Sequence, residues 1–327
     1  MTLVQKTALG YELSFDEASE LFNSIMEGEL TEAEIAAVLV AMRIRGETSD
    51  EIAGAANAMN NKKIKMEKGD RIVIDTCGTG GDGKSTINIS TAVSLVLAAS
   101  GVSVVKHGNV AQSGKVGSAD ILKHLGVPVE FEEGEDNLYF EKHGYVFLFA
   151  PKFHPALKHA GSVRKMLKVP TVFNLLGPLS NPCDPDYQLI GISNIEKLEK
   201  LSVAIEKLGR KGVVLYSSED GYDEVSSNAP TTCYKITESG TEKFTIKPDD
   251  FFKPFVMPVV SDNEDARIKF MQAISGEDED LVNLISINTA LAFFISGLSD
   301  NMKEGFEKAK AVIKSGKVVE KLESLRG

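Results

Sequence analysis

Arg71-Ile72-Val73-Ile74-Asp75-Thr76-Cys77-Gly78-Thr79-Gly80-Gly81-Asp82-Gly83-Lys84-Ser85 is the stretch on which the fold turns. Residues 71–76 form a short apolar, β-branched run that predicts a buried strand, and Thr91 to Ser100 reads as a helix. The glycine-rich turn between them lets the backbone approach a phosphate and aim its N–H groups at it. The N-terminus of the following helix adds a favourable dipole. Four glycines in six residues cost backbone entropy that an ordinary turn has no need to spend.

Residues 78–85 satisfy the G-x-x-x-x-G-K-S pattern of nucleotide hydrolases, with the strand before and the helix after that this motif requires. Two features weaken that reading. Asp82 puts a carboxylate where such a loop presents amides, and no strongly hydrophobic strand ending in Asp stands ready to hold magnesium. A carboxylate suits the loop if it meets a sugar hydroxyl, an amide or a hydrated metal ion, which points to a magnesium-chelated sugar phosphate. The nucleotide hydrolase stays open as an alternative.

Downstream, apolar runs at Val102 to Lys106, Tyr145 to Phe149, Tyr187 to Ile192 and Gly212 to Tyr216 alternate with helical stretches such as Ile195 to Leu208. That order predicts a mostly parallel sheet with crossover helices and a ligand at the carboxyl ends of the strands. Thr231 to Ile236 and Lys243 to Ile246 read as a β excursion, and Asn263 to Ile274, Leu281 to Ile295 and Asn301 to Ile313 as closing helices. Upstream, residues 14–62 read as three amphipathic helices, opened by Ser14, by Thr31 with Glu34 and by Thr48 with Glu51. Ala53, Ala55, Ala56 and Ala58 allow close helix packing. The expected architecture is a small all-α N-terminal domain, residues 1–67 joined by helices from about 155–185, and a large α/β domain, residues 68–327, with a mostly parallel central sheet.

A chain of 327 residues with 43% hydrophobic and 25% charged residues has ample material for a buried cleft. Its formal charge of -11 argues against a nucleic-acid or membrane-surface binder, since both partners are polyanions. Three widely spaced cysteines, Cys77, Cys183 and Cys233, suit neither a disulfide framework nor a zinc site, and fit reduced thiols in cytoplasm. The first residues lack a signal-peptide pattern, and no apolar run reaches the roughly 20 residues that span a bilayer. The acidic clusters 130–135 and 277–280 read as solvated surface.

Further motifs follow the loop: Asn88-Ile89-Ser90-Thr91, Lys106-His107-Gly108-Asn109, Gly117-Ser118-Ala119-Asp120, Phe153-His154-Pro155, Arg164 before residues 173–182 (FNLLGPLSNP), and residues 220–224 (DGYDE). Together with GTGGDG at 78–83, these resemble the anthranilate phosphoribosyltransferases of tryptophan biosynthesis from end to end. The resemblance implies transfer of the ribosyl phosphate of phosphoribosyl pyrophosphate (PRPP) to the amine of anthranilate, with pyrophosphate leaving. It implies magnesium, two ions per active site, held by Ser90, Asp223 and Glu224. The donor would lie against Gly78, Thr79, Gly81, Asp82, Thr86, Asn88, Ser90, Thr91, Lys106, Gly108, Asn109, Ser113, Gly114 and Ser118, with Lys106 as a direct cation on phosphate oxygen. Anthranilate would meet Gly78, His107, Asn109, His154, Arg164 and Pro178, the arginine taking its carboxylate. Lys84 occupies a variable position and is expected to be a solvated side chain.

No Ser-His-Asp or Cys-His nucleophile is evident, and an aromatic amine needs none. The resemblance also suggests a homodimer joined through the helical domain. One departure stands out: residues 110–114 read Val-Ala-Gln-Ser-Gly where the family usually has Arg and then paired serines. Val110 removes a cation from the loop and is expected to weaken donor binding; an unchanged donor KM in Val110→Arg would refute this. A pyrimidine nucleoside phosphorylase-like enzyme and a non-catalytic nucleic-acid-binding relative remain as alternatives, the first disfavoured by the two-acid pair and the Arg164 helix, the second by the charge.

Overall fold

The computed structural model describes residues 1–80, 84–111 and 116–326. Four helices open the chain: α1 (Leu3–Ala8), α2 (Phe15–Glu27), α3 (Glu32–Arg45) and α4 (Ser49–Lys62). Each begins with a reciprocal capping box, Thr2 with Gln5, Ser14 with Glu17, Thr31 with Glu34 and Thr48 with Glu51. The expected caps of α2 to α4 are therefore met, and α1, which the sequence reading did not resolve, uses the same device. In α4 the alanines face inward: Ala53, Ala55, Ala56 and Ala58 are fully buried, and a Cβ at Gly54 would lie 2.4 Å from the Phe15 carbonyl oxygen. The small-residue face thus seats α4 against α2 within the chain.

Seven strands form one sheet in the order β3-β2-β1-β4-β5-β6-β7. These are β1 (Val73–Gly78), β2 (Ser103–Gly108), β3 (Tyr145–Phe149), β4 (Tyr187–Gly191), β5 (Val213–Ser218), β6 (Thr231–Thr237) and β7 (Gly240–Ile246). The first five are parallel and the last two antiparallel, so the expected mostly parallel sheet with a β excursion is what forms. The strand order reverses between β1 and β4, and a crevice opens at the carboxyl ends of strands at such a point. Gly78 pairs with Gly191 there.

Helices cover both faces. On one lie α5 (Ile89–Ala99) and α6 (Ser118–His124); on the other, Phe140 of α7 (Glu135–His143) and Phe153 of the short α8 (Ala150–Phe153) pack with Val105, Val146 and Leu148. The basic helix is α9 (Lys158–Leu167), then α10 (Phe173–Leu176), α11 (Leu198–Lys207), α12 (Asn263–Ser275), α13 (Glu279–Ile295), α14 (Met302–Lys314) and α15 (Lys317–Leu325). One apolar core joins α5 and α12 to α15 to the sheet, with Leu95, Phe270, Ile285 and Leu322 completely enclosed. A second joins α2 to α4 with Ala160, Val163, Phe173, Leu201 and Leu215, so α9, α10 and α11 share a core with the N-terminal helices.

The acidic cluster at 277–280 does more than meet solvent. Asp278 accepts from the Leu281 N–H and caps α13, while Lys310 and Lys314 hold the Glu279 carboxyl down at about 2. No described helix is long and apolar enough to cross a membrane.

Candidate active site

The crevice is built on glycine. β1 ends at Gly78, and the Thr79 N–H donates to the Gly191 carbonyl at 2.9 Å. Over this junction lies the turn carrying Asp223 and Glu224. An added Cβ at Gly191 would fall 1.7 Å from the Asp223 carbonyl oxygen, and one at Gly78 would fall 2.5 Å from Asp223 Oδ2. Both glycines are therefore required for the acidic turn to lie where it does. Gly80, at φ +59°, adopts the left-handed backbone that glycine tolerates and donates its N–H to Asp223 Oδ2 at 3.0 Å. The sequence reading missed Gly191, although a glycine ending an otherwise apolar strand was a usable signal.

Glu224 reaches the start of α5. Its Oε1 accepts from the Ser90 N–H at 3.2 Å and Oε2 from the Tyr216 hydroxyl at 3.5 Å. Asn88, the cap residue, makes no side-chain cap bond, so a remote acid takes the place at the positive end of the helix. Ser90 is the meeting point: its carbonyl accepts from Thr76 Oγ1 at 2.8 Å and its hydroxyl from Lys106 Nζ at 3.2 Å. Asp223, Glu224 and the Ser90 hydroxyl are hard oxygen donors of the kind magnesium takes, alongside substrate oxygens and water. The donor set fits that ion.

Lys106 differs from the expectation of an open cation. It is 1% exposed and donates to the Thr76 carbonyl as well as to Ser90, because β2 runs through the middle of the parallel strands and its side chain passes beneath α5. Its charge acts on the loop through Ser90. Beneath it lies Asp75, completely buried, accepting from the His107 N–H at 3.3 Å and from Gln188 Nε2 at 2.9 Å. Burial raises the Asp75 carboxyl and lowers the Lys106 ammonium, while each charge favours the other's ionised form. A carboxylate inside an apolar strand run was the sequence signal for Asp75.

Lys84 corrects a second expectation. Instead of extending into solvent, its ammonium donates to the Asp220 carbonyl and stands 3.8 Å from the centre of the Tyr222 ring. The lysine that completes the nucleotide-hydrolase pattern is thereby bound to the turn carrying Asp223 and Glu224.

Among the other expected donor contacts, Thr86 bridges to Val259, and Asn88 donates to the Val116 carbonyl at 3.0 Å while its Oδ1 is enclosed without a partner among the described residues. Thr91 is completely buried in α5. Gly108 makes room for Ser118, whose Oγ an added Cβ would meet at 2.4 Å, and Ser118 donates to the Asn109 carbonyl at 3.3 Å. Asn109 Oδ1 accepts from the Val110 N–H, and Val110 itself is 40% exposed. Gly81, Asp82, Ser113 and Gly114 lie outside the described residues.

The expected acceptor residues converge on 173–180. Arg164, on α9, stands with its guanidinium carbon 5.2 Å from the centre of the Phe173 ring and makes no ion pair among the described residues; burial lowers its pKa. The His107 and His154 rings are 5.1 Å apart. Burial first, then neighbouring positive charge, pushes His107 down to about 3 against an opposing hydrogen bond to the Gly177 backbone. His154 is pushed down to about 4 by burial and Lys63, opposed by the Ser180 backbone. Both Nε2 atoms are enclosed with no partner among the described residues. Pro178 is buried between, its carbonyl accepting from Gln188 Nε2 at 2.7 Å.

Comparison with known proteins matches residues 70–319 to the "Glycosyl transferase family, a/b domain" and residues 1–62 to its "helical bundle domain". The chain is 42% identical over 320 residues to the anthranilate phosphoribosyltransferase of Methanococcus maripaludis, covering 96% of each. The crystal structure of the Thermus thermophilus anthranilate phosphoribosyltransferase superposes with a TM-score of 0.91 at 35% identity over 100% of both chains. The Saccharomyces cerevisiae enzyme, solved in complex with PRPP and Mg, gives 0.88 at 26% identity, covering 99% of this chain and 97% of that one. The same yeast enzyme with 4-fluoroanthranilate gives 0.85 at 26% identity over 99% and 96%.

Proposed function

The chain belongs to the anthranilate phosphoribosyltransferase family, and on that premise we propose that it transfers the phosphoribosyl group of PRPP to the amine of anthranilate, giving N-(5-phosphoribosyl)anthranilate and pyrophosphate. The observation that carries the reading is the acidic turn laid across Gly78 and Gly191, with Glu224 on the start of α5 and an unpaired arginine near two neutral histidines beyond it. Magnesium, when bound with PRPP, offsets the donor's negative charge and stabilises the departing pyrophosphate. Asp223, Glu224 and Ser90 are the residues that would hold it, and two ions per site is the number we assign to two adjacent carboxylates.

The Gly80 and Ser90 N–H groups are spent on Asp223 and Glu224, so the end of β1 and the start of α5 position the acidic pair that would hold the metal. Arg164, stacked on Phe173, offers a planar fork to the anthranilate carboxylate. His107 and His154 stay neutral, so they shape the acceptor side without placing a charge near the developing cation of the ribosyl ring. With such low basicity they are not proton-abstracting bases. Holding the amine on line with the anomeric carbon contributes roughly 7 to 11 kcal/mol at best, and fixed electrostatics the rest. Incubating the protein with magnesium, PRPP and anthranilate should abolish anthranilate fluorescence; persistence of the signal with a verified donor overturns the assignment.

The same reading divides the chain into a helical unit, residues 1–67 with 155–185, and an α/β unit, 68–327, with the acceptor between them. The packing of Ala160, Val163 and Phe173 with α2 to α4 supports joining 155–185 to the helical unit, Ile190, Val213 and Leu215 of the sheet share that core, and limited proteolysis should cut first near the 63–70 connection. We assign a homodimer joined through the helical unit. Exposed Leu9, Tyr11 and Ile44 support it, at 69%, 57% and 81% accessible, whereas the Ala-rich face of α4 is already used within the chain. Sedimentation at a monomer mass would refute it. The cytoplasm suits a biosynthetic enzyme whose three cysteines are free, buried thiols with pKa values raised by burial.

A further inference from the structure

At the opposite end of the sheet from the glycine loop, a cavity of about 520 Å³ opens where β4 and β5 begin. Its walls come from the end of α4, the turn at 184–185 before β4 and the turn at 208–211 before β5. Strands of five or six residues separate it from the Gly78–Gly191 junction, a distance of roughly 15–20 Å, so it is not part of the crevice described above. Four cations line it, Lys63, Lys65, Arg210 and Lys211, against one carboxylate, Asp184. In a chain with a formal charge of -11, so concentrated a positive surface is unusual.

The single carboxylate is already committed. Lys63, with its side chain 2% exposed, donates to Asp184 Oδ1 at 2.5 Å, to Asn60 Oδ1 at 3.1 Å and to the Asn181 carbonyl at 2.9 Å, which uses all three of its N–H groups. Arg210 is different. One of its five donors is used, Nη2 to Gln188 Oε1 at 2.7 Å, and it makes no ion pair among the described residues. Gln188 is itself fixed by Asp75 and the Pro178 carbonyl, so the guanidinium is held in one orientation with the rest of its fork unspent. Lys65 and Lys211 are exposed at the rim and have no acceptor among the described residues. Asp184 is the one acid whose charge favours the Arg210 guanidinium from the cavity wall, and it is shared with Lys63, so the four cations are left with an excess of positive charge that an anion would offset.

We propose that this cavity is a second anion site, binding a small molecule through a phosphate or pyrophosphate group. Arg210 supplies the contact deepest in the cavity, and Lys65 and Lys211 supply charge at the mouth. The volume admits a substituent beyond the phosphate. The site works independently of the transfer reaction and needs no magnesium.

The chain contains no tryptophan, which allows a local reporter. Asn61→Trp places a single indole at the exposed edge of the cavity. Titration with inorganic pyrophosphate in EDTA should give a saturable fluorescence change at or below about 1 mM. Adding Arg210→Gln should weaken that affinity about tenfold or more. If Arg210→Gln does not fold, Lys65→Gln with Lys211→Gln, both at exposed positions, decides the question, with an expected loss of severalfold. Three results overturn the site: no saturable change up to about 10 mM pyrophosphate, an unchanged affinity in the lysine variant, or an equal response to sodium chloride at matched ionic strength. None of these outcomes depends on whether anthranilate is consumed.

Discussion

Single residues decide where charge sits in this protein. Gly191 carries no functional group, yet a methyl group there would overlap the Asp223 backbone at 1.7 Å. Gly191→Ala should therefore raise the magnesium concentration needed for half-maximal activity by about tenfold, since roughly 1–3 kcal/mol of distortion would fall on the acidic turn. A magnesium titration that matches wild type would show that the turn tolerates displacement. Arg164 is read through its partner: a guanidinium on Phe173 with no counter-ion suits a carboxylate. Charge-assisted hydrogen bonds contribute about 1.5–3 kcal/mol, so Arg164→Ala should raise the anthranilate KM about 10- to 100-fold and leave the PRPP KM near its original value. Equal changes in both constants would mean that the residue supports the fold and not the acceptor. Of these two residues, Arg164 was legible from its motif, whereas the need for Gly191 arises from a turn 32 positions further along the chain that passes over it.

Elements follow local rules more faithfully. The caps of α2, α3 and α4 are readable because a Ser or Thr and a Glu three residues later satisfy each other within one turn. Thr48→Ala should cost about 1 kcal/mol, seen as a lower denaturation midpoint with unchanged slope. An effect well beyond this is expected only if Glu51 is also released, because that buried side chain additionally accepts from the Leu13 N–H and pairs with Arg45. Strand cores were equally legible, with β3 falling on the predicted residues Tyr145 to Phe149. Boundaries were less so: β1 extends to Gly78 because its last pairs form against β4. The helix α5 shows the limit of local reading. Its natural cap residue, Asn88, turns its amide to Val116, and Glu224 arrives from another part of the chain to meet the helix start.

At the scale of the molecule, burial converts two histidines into acid-sensitive supports. His107 and His154 are held at about 3 and about 4, against 6.5 in an unfolded chain, chiefly by burial. Between those values the unfolded state binds more protons than the folded one, so the stability these residues contribute is complete above pH 6.5 and is lost as pH falls. Each should contribute a slope of about 1.4 kcal/mol per pH unit while its folded form stays neutral. Thermal melts from pH 7 to pH 4 should fall more steeply in wild type than in His107→Asn with His154→Asn; parallel curves would show that the rings are hydrated and titrate normally. Sequence by itself determined the helical and parallel α/β parts, the phosphate-facing loop and the chemical family, because periodicity, caps and glycine spacing act over a few residues. Only the tertiary structure decided that Lys106 lies buried beneath Ser90, that Lys84 binds the acidic turn, that Gly78 and Gly191 open space for Asp223, and that Arg210 gathers with three lysines around one carboxylate. Each of these depends on which strands are neighbours, and a chain's local pattern carries no record of what will be packed across from it.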